Sequence, residues 1–378
     1  MKKLSMIFMS LCMFVGVLTG CGSAAEKVQD QGATNEVAKS QTGTHEVVDH
    51  LGETVNLPNE IERVAIVQLL PLPSVLAAYQ GGNVDNLVAM PPDSLNAAEN
   101  SILSVYAPDI LNVSTECFAG GEINMEELLK LEPDVILYSG AENTEIFKAA
   151  GVPAVGFSPT AAGTNTIETV GKWIELLEDV FQEESKITGI VEYGQEVQSM
   201  IDERLATLTE EEKEKVLIIN QYTDSNLMVA GKGTFGEYWC EATGSDNVAL
   251  SAAKNSVNME QVYEWNPEKI FMSTLTSFMP QDLYESTAGI GHDWSTVAAV
   301  QNQEVYKYPL GMHRWWPPST DAPLSLLWLA KNTYPELFED VDMNKTTKEY
   351  YEKFYGMTLS DEDVEWIFNP RENLGRTT

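Results

Sequence analysis

The residues best suited to bind a small molecule lie in one short loop near the carboxyl end of the chain. Residues 308–318 (YPLGMHRWWPP) follow a strand-like run and bring together an imidazole, His313, a cation, Arg314, and two indoles, Trp315 and Trp316. Indole rings stack on flat ligands, and a guanidinium clamps a carboxylate or a phosphate. The alternative is that both Trp side chains pack in a core while Arg314 pairs with a nearby acid.

Further candidates stand where predicted strands end. Ligands of open α/β sheets bind beyond the carboxyl ends of the strands, so side chains at these exits are placed to reach a ligand. Glu122, just before a predicted helix, is an additional candidate for the same cleft. The strand-exit candidates are Gln68, Leu69, Tyr138, Ser139, Tyr222 and Thr274.

Neither a protein-bound metal nor a nucleotide cofactor is predicted. The four His residues, at positions 45, 50, 292 and 313, show no metal-site spacing such as H-x-x-x-H. Residues 231–236 fit G-x-G-x-x-G, but no acid follows about twenty residues later, as a dinucleotide site requires. The chain has no G-x-S-x-G segment and no defensible Ser/His/Asp arrangement. We therefore expect any metal to arrive inside the ligand, and no catalytic residues.

Two segments of the chain are nearly the same. NMEELLKLEPDVILYSG begins at Asn124, and NMEQVYEWNPEKIFMST begins at Asn258, an offset of 134 (258 − 124). In each copy the Asn begins a short helix, with Glu127 or Gln261 three residues later to complete a capping box. A Pro then ends the helix, and a strand-like run follows. The repeat predicts two similar halves.

The amino-terminal residues predict export. Lys2 and Lys3 precede a short apolar run, which is the pattern of a signal peptide. The run ends in Leu-Thr-Gly-Cys21, which resembles the lipobox of bacterial lipoproteins and implies a lipid on Cys21; ordinary secretion with a coincidental Cys is the alternative. Residues 22–44 lack aromatic side chains and are predicted to be a flexible tether.

Charge and cysteine content narrow the possible partners. The chain carries 23 basic and 57 acidic residues and has a net charge of −34, without the basic stripe that nucleic acids require. Nucleic acid is therefore excluded as an expected partner. Only Cys117 and Cys240 remain outside the first 21 residues, and two free buried thiols are favoured over a disulfide between them.

The arrangement of strands and helices predicts an α/β protein with two lobes. A hairpin is expected in residues 46–57, and a parallel, helix-covered sheet in residues 60–160. Apolar residues at helical spacing in residues 184–208 predict one helix long enough to join two domains, and the strand–helix alternation then resumes. The predicted divisions are a signal peptide (1–20), a tether (21–44), an N-terminal lobe (45–163), a helical connector (164–209) and a C-terminal lobe (210–378).

Several segments, taken in order, resemble those of one protein family. The matching segments are DHLGETVNLP at 49–58, Arg63-Val64, both NME units, EATGSDNVA at 241–249, and the run from Trp294 to Ala299 with Val305-Tyr306 and Pro309. Together they resemble the substrate-binding lipoproteins of ABC importers that handle ferric siderophores, corrinoids and haem. The resemblance covers most of residues 46–368 and implies two mainly parallel-sheet lobes, joined by one long helix, with the ligand in the cleft between them.

The resemblance also implies partners. One exposed Glu on each lobe of such receptors docks on the permease, and aligning the NME units gives this role to Glu126 and Glu260; the alternative is that both merely stabilise their helix starts. The expected protein is a monomeric, non-enzymatic, lipid-anchored extracytoplasmic receptor for an iron–siderophore complex or corrinoid. Haem, another metal complex or an oxyanion stays open as ligand. A chelatase-like enzyme and a structural or adhesive lipoprotein are the alternatives from other classes.

Overall fold

The computed structural model describes residues 43–119, 122–252 and 254–370. The predicted signal peptide, Cys21 and the tether before Gly43 lie outside these residues. The described chain opens with the predicted hairpin, which is confirmed: strands β1 (Thr44–Val48) and β2 (Thr54–Pro58) pair in antiparallel fashion. No helix within the described ranges is long and apolar enough to cross a membrane.

The N-terminal lobe is built on a four-stranded parallel sheet, as the sequence predicted. Its strands are short and buried, and their order is β4-β3-β7-β8. A separate two-stranded ribbon, β5-β6, precedes the first NME helix. These strands are β3 (Val64–Ile66), β4 (Leu87–Ala89), β5 (Phe118–Ala119), β6 (Glu122–Ile123), β7 (Val135–Tyr138) and β8 (Ala154–Gly156). The helices of this lobe are α1 (Leu72–Tyr79), α2 (Pro92–Glu99), α3 (Leu103–Tyr106), α4 (Met125–Lys130) and α5 (Thr144–Ala149).

The predicted connector, residues 164–209, contains two helices, and the single helix predicted over residues 184–208 is present but shorter. Helix α6 (Thr166–Phe181) and helix α7 (Ile190–Leu205) are separated by a turn that ends at Gly189, whose φ of +79° lies in the left-handed region. A Cβ on Gly171 of α6 would lie 2.7 Å from Val191 of α7, so the two helices pack at close range. Ile187, in the turn, continues the apolar spacing of α7, which explains why the predicted helix began too early.

The C-terminal lobe contains a mixed sheet of six strands in the order β12-β10-β9-β13-β14, with β11 also paired to β9. Strands β9, β13 and β14 are parallel, whereas β10 is antiparallel to both of its neighbours. The strands are β9 (Lys215–Thr223), β10 (Asn226–Val229), β11 (Asp246–Asn247), β12 (Ser256–Val257), β13 (Lys269–Met272) and β14 (Val305–Lys307). The helices are α8 (Phe235–Ala242), α9 (Met259–Trp265), α10 (Pro280–Tyr284), α11 (Ala298–Gln301), α12 (Ala322–Thr333), α13 (Met343–Tyr355) and α14 (Asp361–Phe368).

Alternate residues of each sheet belong to different cores. In the N-terminal lobe, Val64 and Ile66 belong to a core that continues through the connector helices into the C-terminal lobe, whereas Ala65 belongs to a smaller core on the other face. In the C-terminal lobe, Ile218 joins the same large core and Ile219 joins a third. The shared core makes the connector pair a packed part of both lobes.

The repeated segments have the same structure. In each, the Asn side chain accepts hydrogen bonds from the first helical turn, although only Asn258 forms the full capping box. After each helix, a non-glycine residue with positive φ, Glu132 or Asn266, directly precedes the Pro. The acid after that Pro then holds the start of the neighbouring parallel strand, since Asp134 Oδ2 accepts from Arg63 N and Glu268 Oε2 from Lys215 N, both at 3.0 Å.

Candidate ligand-binding cleft

A cleft of about 390 Å³ lies where the loops that leave the two sheets meet. The N-terminal lobe contributes the exits of β3 and β8, the C-terminal lobe contributes the exits of β9, β10, β13 and β14, and helix α6 closes one side. This is the edge at which an open α/β sheet binds ligands. The lining residues are 68–71, 159–160, 173, 220, 233–235, 275, 313–314 and 316–318.

Arg314 is the cation of this cleft and lies at its interlobe boundary. Its side chain is almost wholly buried, and Nη1 donates a hydrogen bond to the carbonyl oxygen of Asp93, in the first turn of α2, at 3.3 Å. A bridge between Arg314 and Leu310 closes the loop that carries it. The guanidinium therefore belongs to one lobe and contacts the other, so a ligand that binds it is held where the lobes meet.

His313 presents a neutral imidazole to the same cleft. Burial and the neighbouring charge of Arg314 hold the pKa of His313 well below its ordinary value of 6.5. Its Nε2 is buried and has no hydrogen-bond partner among the described residues. A buried polar atom without a partner is costly, and at a binding site its natural partner is the ligand.

The walls of the cleft are apolar and aromatic. The rings of Phe235 and Trp316 meet edge to face with centroids 6.2 Å apart, and Trp316 O accepts a hydrogen bond from Trp239 Nε1 at 2.9 Å. Trp173, on α6, donates its indole N–H to Ser158 O at 2.8 Å, directly before the lining residue Pro159. The Trp173 indole and the Trp316 backbone are held by hydrogen bonds, and the Phe235 and Trp316 rings are packed together, so these rings form a rigid surface for a flat or compact ligand.

Five of the residues predicted from sequence line the cleft: Gln68, Leu69, His313, Arg314 and Trp316. They come from both lobes, so the structure brings together groups that are 248 positions apart (316 − 68). Whether each of them contacts a ligand stays a prediction.

The other candidates do not line the cleft. Trp315 is fully buried beneath the loop, with its indole N–H on Asp321, so for this residue the core alternative holds. Tyr138 packs in the small core of the N-terminal lobe and donates to Thr144, and Glu122 is an exposed residue of the β5-β6 ribbon. Thr274 is buried beside the lining residue Leu275.

Ser139 and Tyr222 differ from expectation for local reasons. Ser139 N donates to Gln68 Oε1 at 3.1 Å, so its backbone positions a lining residue. Tyr222 lies beyond the parallel part of β9, which pairs with β13 only as far as Ile219, and its hydroxyl contacts Ala288 O and His292 Nδ1. Asn220 is thus the first residue of β9 beyond its parallel pairing with β13, and it lines the cleft.

Sequence reasoning missed part of the lining. The segment with the G-x-G-x-x-G pattern contributes Gly233, Thr234 and Phe235, and its position between β10 and α8 was the available signal. Trp173 and the Pro residues at 71, 159, 317 and 318 carried no such signal, because only long-range packing brings them to the cleft. Within the described residues no group of three His, Cys, Asp or Glu side chains is arranged to hold a metal ion.

The proposed docking residues occupy equivalent positions on the two lobes. Glu126 and Glu260 are exposed in the first turns of α4 and α9, which precede the equivalent strands β7 and β13. Three residues later on each helix stands an exposed apolar side chain, Leu129 at 36% and Tyr263 at 41% exposure. The surroundings differ, because Lys130 Nζ lies 3.3 Å from Glu126 Oε1.

Comparison with known proteins identifies the family. The family model described as periplasmic binding protein matches residues 74–310, more than half of the chain. The chain is 25% identical over 343 residues to the molybdate-binding protein MolA of Haemophilus influenzae, across 82% of this chain and 90% of MolA. Among solved structures, a periplasmic solute-binding protein of Veillonella parvula matches with a TM-score of 0.73 and 29% identity, over 86% of this chain and 97% of that chain. Helicobacter pylori CeuE with Ni(II) bound matches in fold, with a TM-score of 0.66 and 22% identity, over 85% of this chain and 98% of that chain.

These findings confirm the predicted family, the two-lobed α/β class, the extracytoplasmic location and the absence of enzymatic function that the family implies. The chain belongs to the periplasmic binding protein family and is a solute-binding receptor of an ABC transporter.

Proposed function

We propose that the receptor captures a compact iron–siderophore complex, or a similar metal chelate with an organic surface, in the cleft between its lobes. The observation that carries the proposal is the lining itself: a rigid, largely apolar and aromatic surface with one buried guanidinium and one neutral imidazole. A chelate offers an apolar periphery to the rings and a polar oxygen to Arg314 and His313. The metal then needs no side-chain ligands from the protein.

The charge and size of the cleft favour some chelates over others. With one cationic residue in the lining, a highly anionic catecholate complex would be poorly compensated, whereas a hydroxamate-type complex is neutral or weakly charged. A volume of about 390 Å³ is near the lower end of small-molecule sites. A corrinoid or haem would therefore need a wider opening of the lobes than the structure shows, and both rank below a compact chelate.

An oxyanion is the second candidate. Arg314 is a suitable partner for a tetrahedral oxyanion, the side-chain amides of Gln68 and Asn220 offer further donors, and the relative MolA is named for molybdate. Against it, a small and strongly hydrated dianion would lose its water to walls that are mostly apolar. This cost is the reason for placing the chelate first.

We further propose that a lipid on Cys21 anchors the receptor to the membrane and that Glu126 and Glu260 dock it on the permease subunits. Both carboxylates are exposed, and an exposed apolar side chain follows each at the same spacing. Charge-assisted bonds to Arg or Lys of the permease suit such a surface. The receptor is proposed to act as a monomer.

The ligand is tested by titrating the protein with a panel and following Trp fluorescence. The panel contains a ferric dihydroxamate, a ferric catecholate, haem, cobalamin and molybdate, and the eight Trp residues supply the signal. We expect the hydroxamate complex to bind most tightly. Arg314→Gln should weaken that binding about tenfold or more, because a charge-assisted hydrogen bond is lost.

The matched control is Arg204→Gln. Arg204 pairs with Asp340 through bonds of 2.6 and 2.8 Å at the surface and does not line the cleft. Arg204→Gln should leave the affinity for the chelate within about twofold of the wild-type value, since surface ion pairs contribute little. Molybdate as the tightest ligand would replace the chelate proposal with the oxyanion. Equal losses in the two variants would contradict the assignment of the cleft.

A further inference from the structure

The buried carboxylate of Asp321 has an unusual arrangement at the start of helix α12. Asp321 is the N-cap residue of this helix, a position where an Asp side chain normally accepts hydrogen bonds from the first-turn amides. Here the side chain makes no capping bond, and only its backbone oxygen accepts from Ser325 N, at 3.0 Å. Both carboxylate oxygens are used elsewhere.

The carboxylate accepts four hydrogen bonds, and two of them come from the loop that carries the cleft residues. Oδ2 accepts from Met312 N at 2.7 Å and from Trp315 Nε1 at 3.1 Å. These donors immediately precede and follow His313 and Arg314 in sequence. The backbone oxygen of Trp315 also accepts from Ser325 Oγ at 3.0 Å, one turn further along the same helix.

The other two donors are tyrosines of helix α13, which does not line the cleft. Tyr351 donates to Oδ2 and Tyr355 donates to Oδ1, both at 2.9 Å, and Tyr355 also lies 2.8 Å from Thr320 Oγ1. Gly311 completes the arrangement, because a Cβ at this position would collide with Asp321 Oδ2 and with the Tyr351 hydroxyl. Helix α13 is thereby connected to the ligand loop through one carboxylate.

We propose that Asp321 is a positioning residue for ligand binding: it fixes the loop of residues 310–316, so that His313, Arg314 and Trp316 are already in place before the ligand arrives. A buried charge with fixed donors on several sides holds a single geometry, whereas a hydrophobic contact would allow several. The helix start supplies additional stabilisation for the negative charge. This inference rests on the proposed function only for its effect on ligand affinity.

The alternative is that Asp321 stabilises the fold without any particular effect on the cleft. Under preorganisation, a variant with a disordered loop has an apparent affinity lowered by the fraction of molecules in the competent state. Under a purely structural role, loop order and affinity follow global stability. Comparing variants that lose similar amounts of stability separates the two.

The test uses Asp321→Asn, Tyr351→Phe and, as matched control, Tyr334→Phe. Tyr334 is also buried in the C-terminal lobe; its hydroxyl donates to Gly244 O at 3.0 Å and accepts from Glu214 N at 3.3 Å, and neither hydrogen bond involves the loop. Hydrogen exchange of the loop amides and of the Trp315 indole N–H reports loop order without any ligand. Titration with the ferric dihydroxamate complex, and with sodium molybdate as the second probe, reports affinity.

Asp321→Asn is expected to speed exchange of the Met312 amide and the Trp315 indole N–H at least tenfold and to weaken probe binding about tenfold. Tyr351→Phe, which removes one of the four donors, should give about threefold changes, and it decides the question if Asp321→Asn does not fold. Tyr334→Phe should change neither quantity. The proposal would be overturned if Asp321→Asn and Tyr351→Phe changed loop exchange and probe affinity no more than Tyr334→Phe does. If neither probe binds the wild type, the proposed function fails, and loop exchange still decides the role of Asp321.

Discussion

Replacing Glu260 by Gln is expected to weaken docking on the permease more than replacing Glu126 by Gln. On helix α4, the Lys130 ammonium lies 3.3 Å from Glu126 and 2.8 Å from Glu127, so that part of the acidic charge is already compensated. On helix α9 the equivalent position holds Glu264 (130 + 134). Among the described residues, no Lys or Arg nitrogen forms an ion pair with Glu260 or Glu264.

The size of the difference follows from these contacts. A charge-assisted hydrogen bond at an interface contributes about 1.5–3 kcal/mol, so losing it at Glu260 should lower affinity about tenfold or more. At Glu126 the permease must compete with Lys130 for the same carboxylate. Exposed pairs of this kind are weak, and the loss should therefore be smaller by a factor of about two to three. Lys130→Gln should strengthen docking by a similar factor.

The assay is binding of the ligand-loaded receptor to its permease in nanodiscs, at low and at physiological salt. Tyr263→Ala and Leu129→Ala report the apolar contact, which should not depend on salt. Raising the salt concentration should reduce the difference between Glu260→Gln and Glu126→Gln, because exposed charges are screened. Equal losses at low salt would refute the reasoning about Lys130, and unchanged binding in both variants would refute docking through these residues.

Three further predictions concern two kinds of buried group, His313 and the two thiols, and one exposed carboxylate, Glu268. The folded His313 stays neutral below pH 6.5, where the unfolded imidazole takes up a proton, so the thermal midpoint should fall on acidification, and His313→Gln should reduce that fall. Burial raises the pKa of Cys117 to about 11 and of Cys240 to about 12, so neither thiol should react with a disulfide reagent at pH 8 until the protein unfolds. Glu268→Gln should lower the free energy of unfolding in urea by about 1 kcal/mol, because a carboxylate bond to the Lys215 amide is weakened; no change would contradict its role in holding β9.

Most strands could be predicted because they are short runs of buried β-branched and aliphatic residues between turn signals. The strand-like run predicted after the Pro of each repeated segment is a strand, β7 (Val135–Tyr138) in the first and β13 (Lys269–Met272) in the second. The connector was harder. Its apolar spacing already includes Ile187, but the left-handed backbone at Gly189 makes α7 begin only at Ile190. The two free buried thiols were also predicted correctly.

The cleft was only partly predictable, because sequence position says which residues leave a strand but not which way they face. Trp315 and Trp316 are neighbours, yet one is buried against Asp321 and the other lines the cleft. The difference depends on tyrosines about 35 positions later on α13, which no local pattern connects to the loop. Trp173 entered the cleft through the packing of the connector, which likewise has no local signature.

The central claim is that one metal chelate is held between the two lobes. The most direct measurement is a crystal structure of the receptor with the ferric dihydroxamate complex, with the iron located by anomalous scattering. The account predicts one iron position within the cleft, with the chelate in contact with Gln68 of one lobe and Arg314 of the other. An iron bound on a single lobe outside this cleft, or iron coordinated by surface carboxylates, would contradict it.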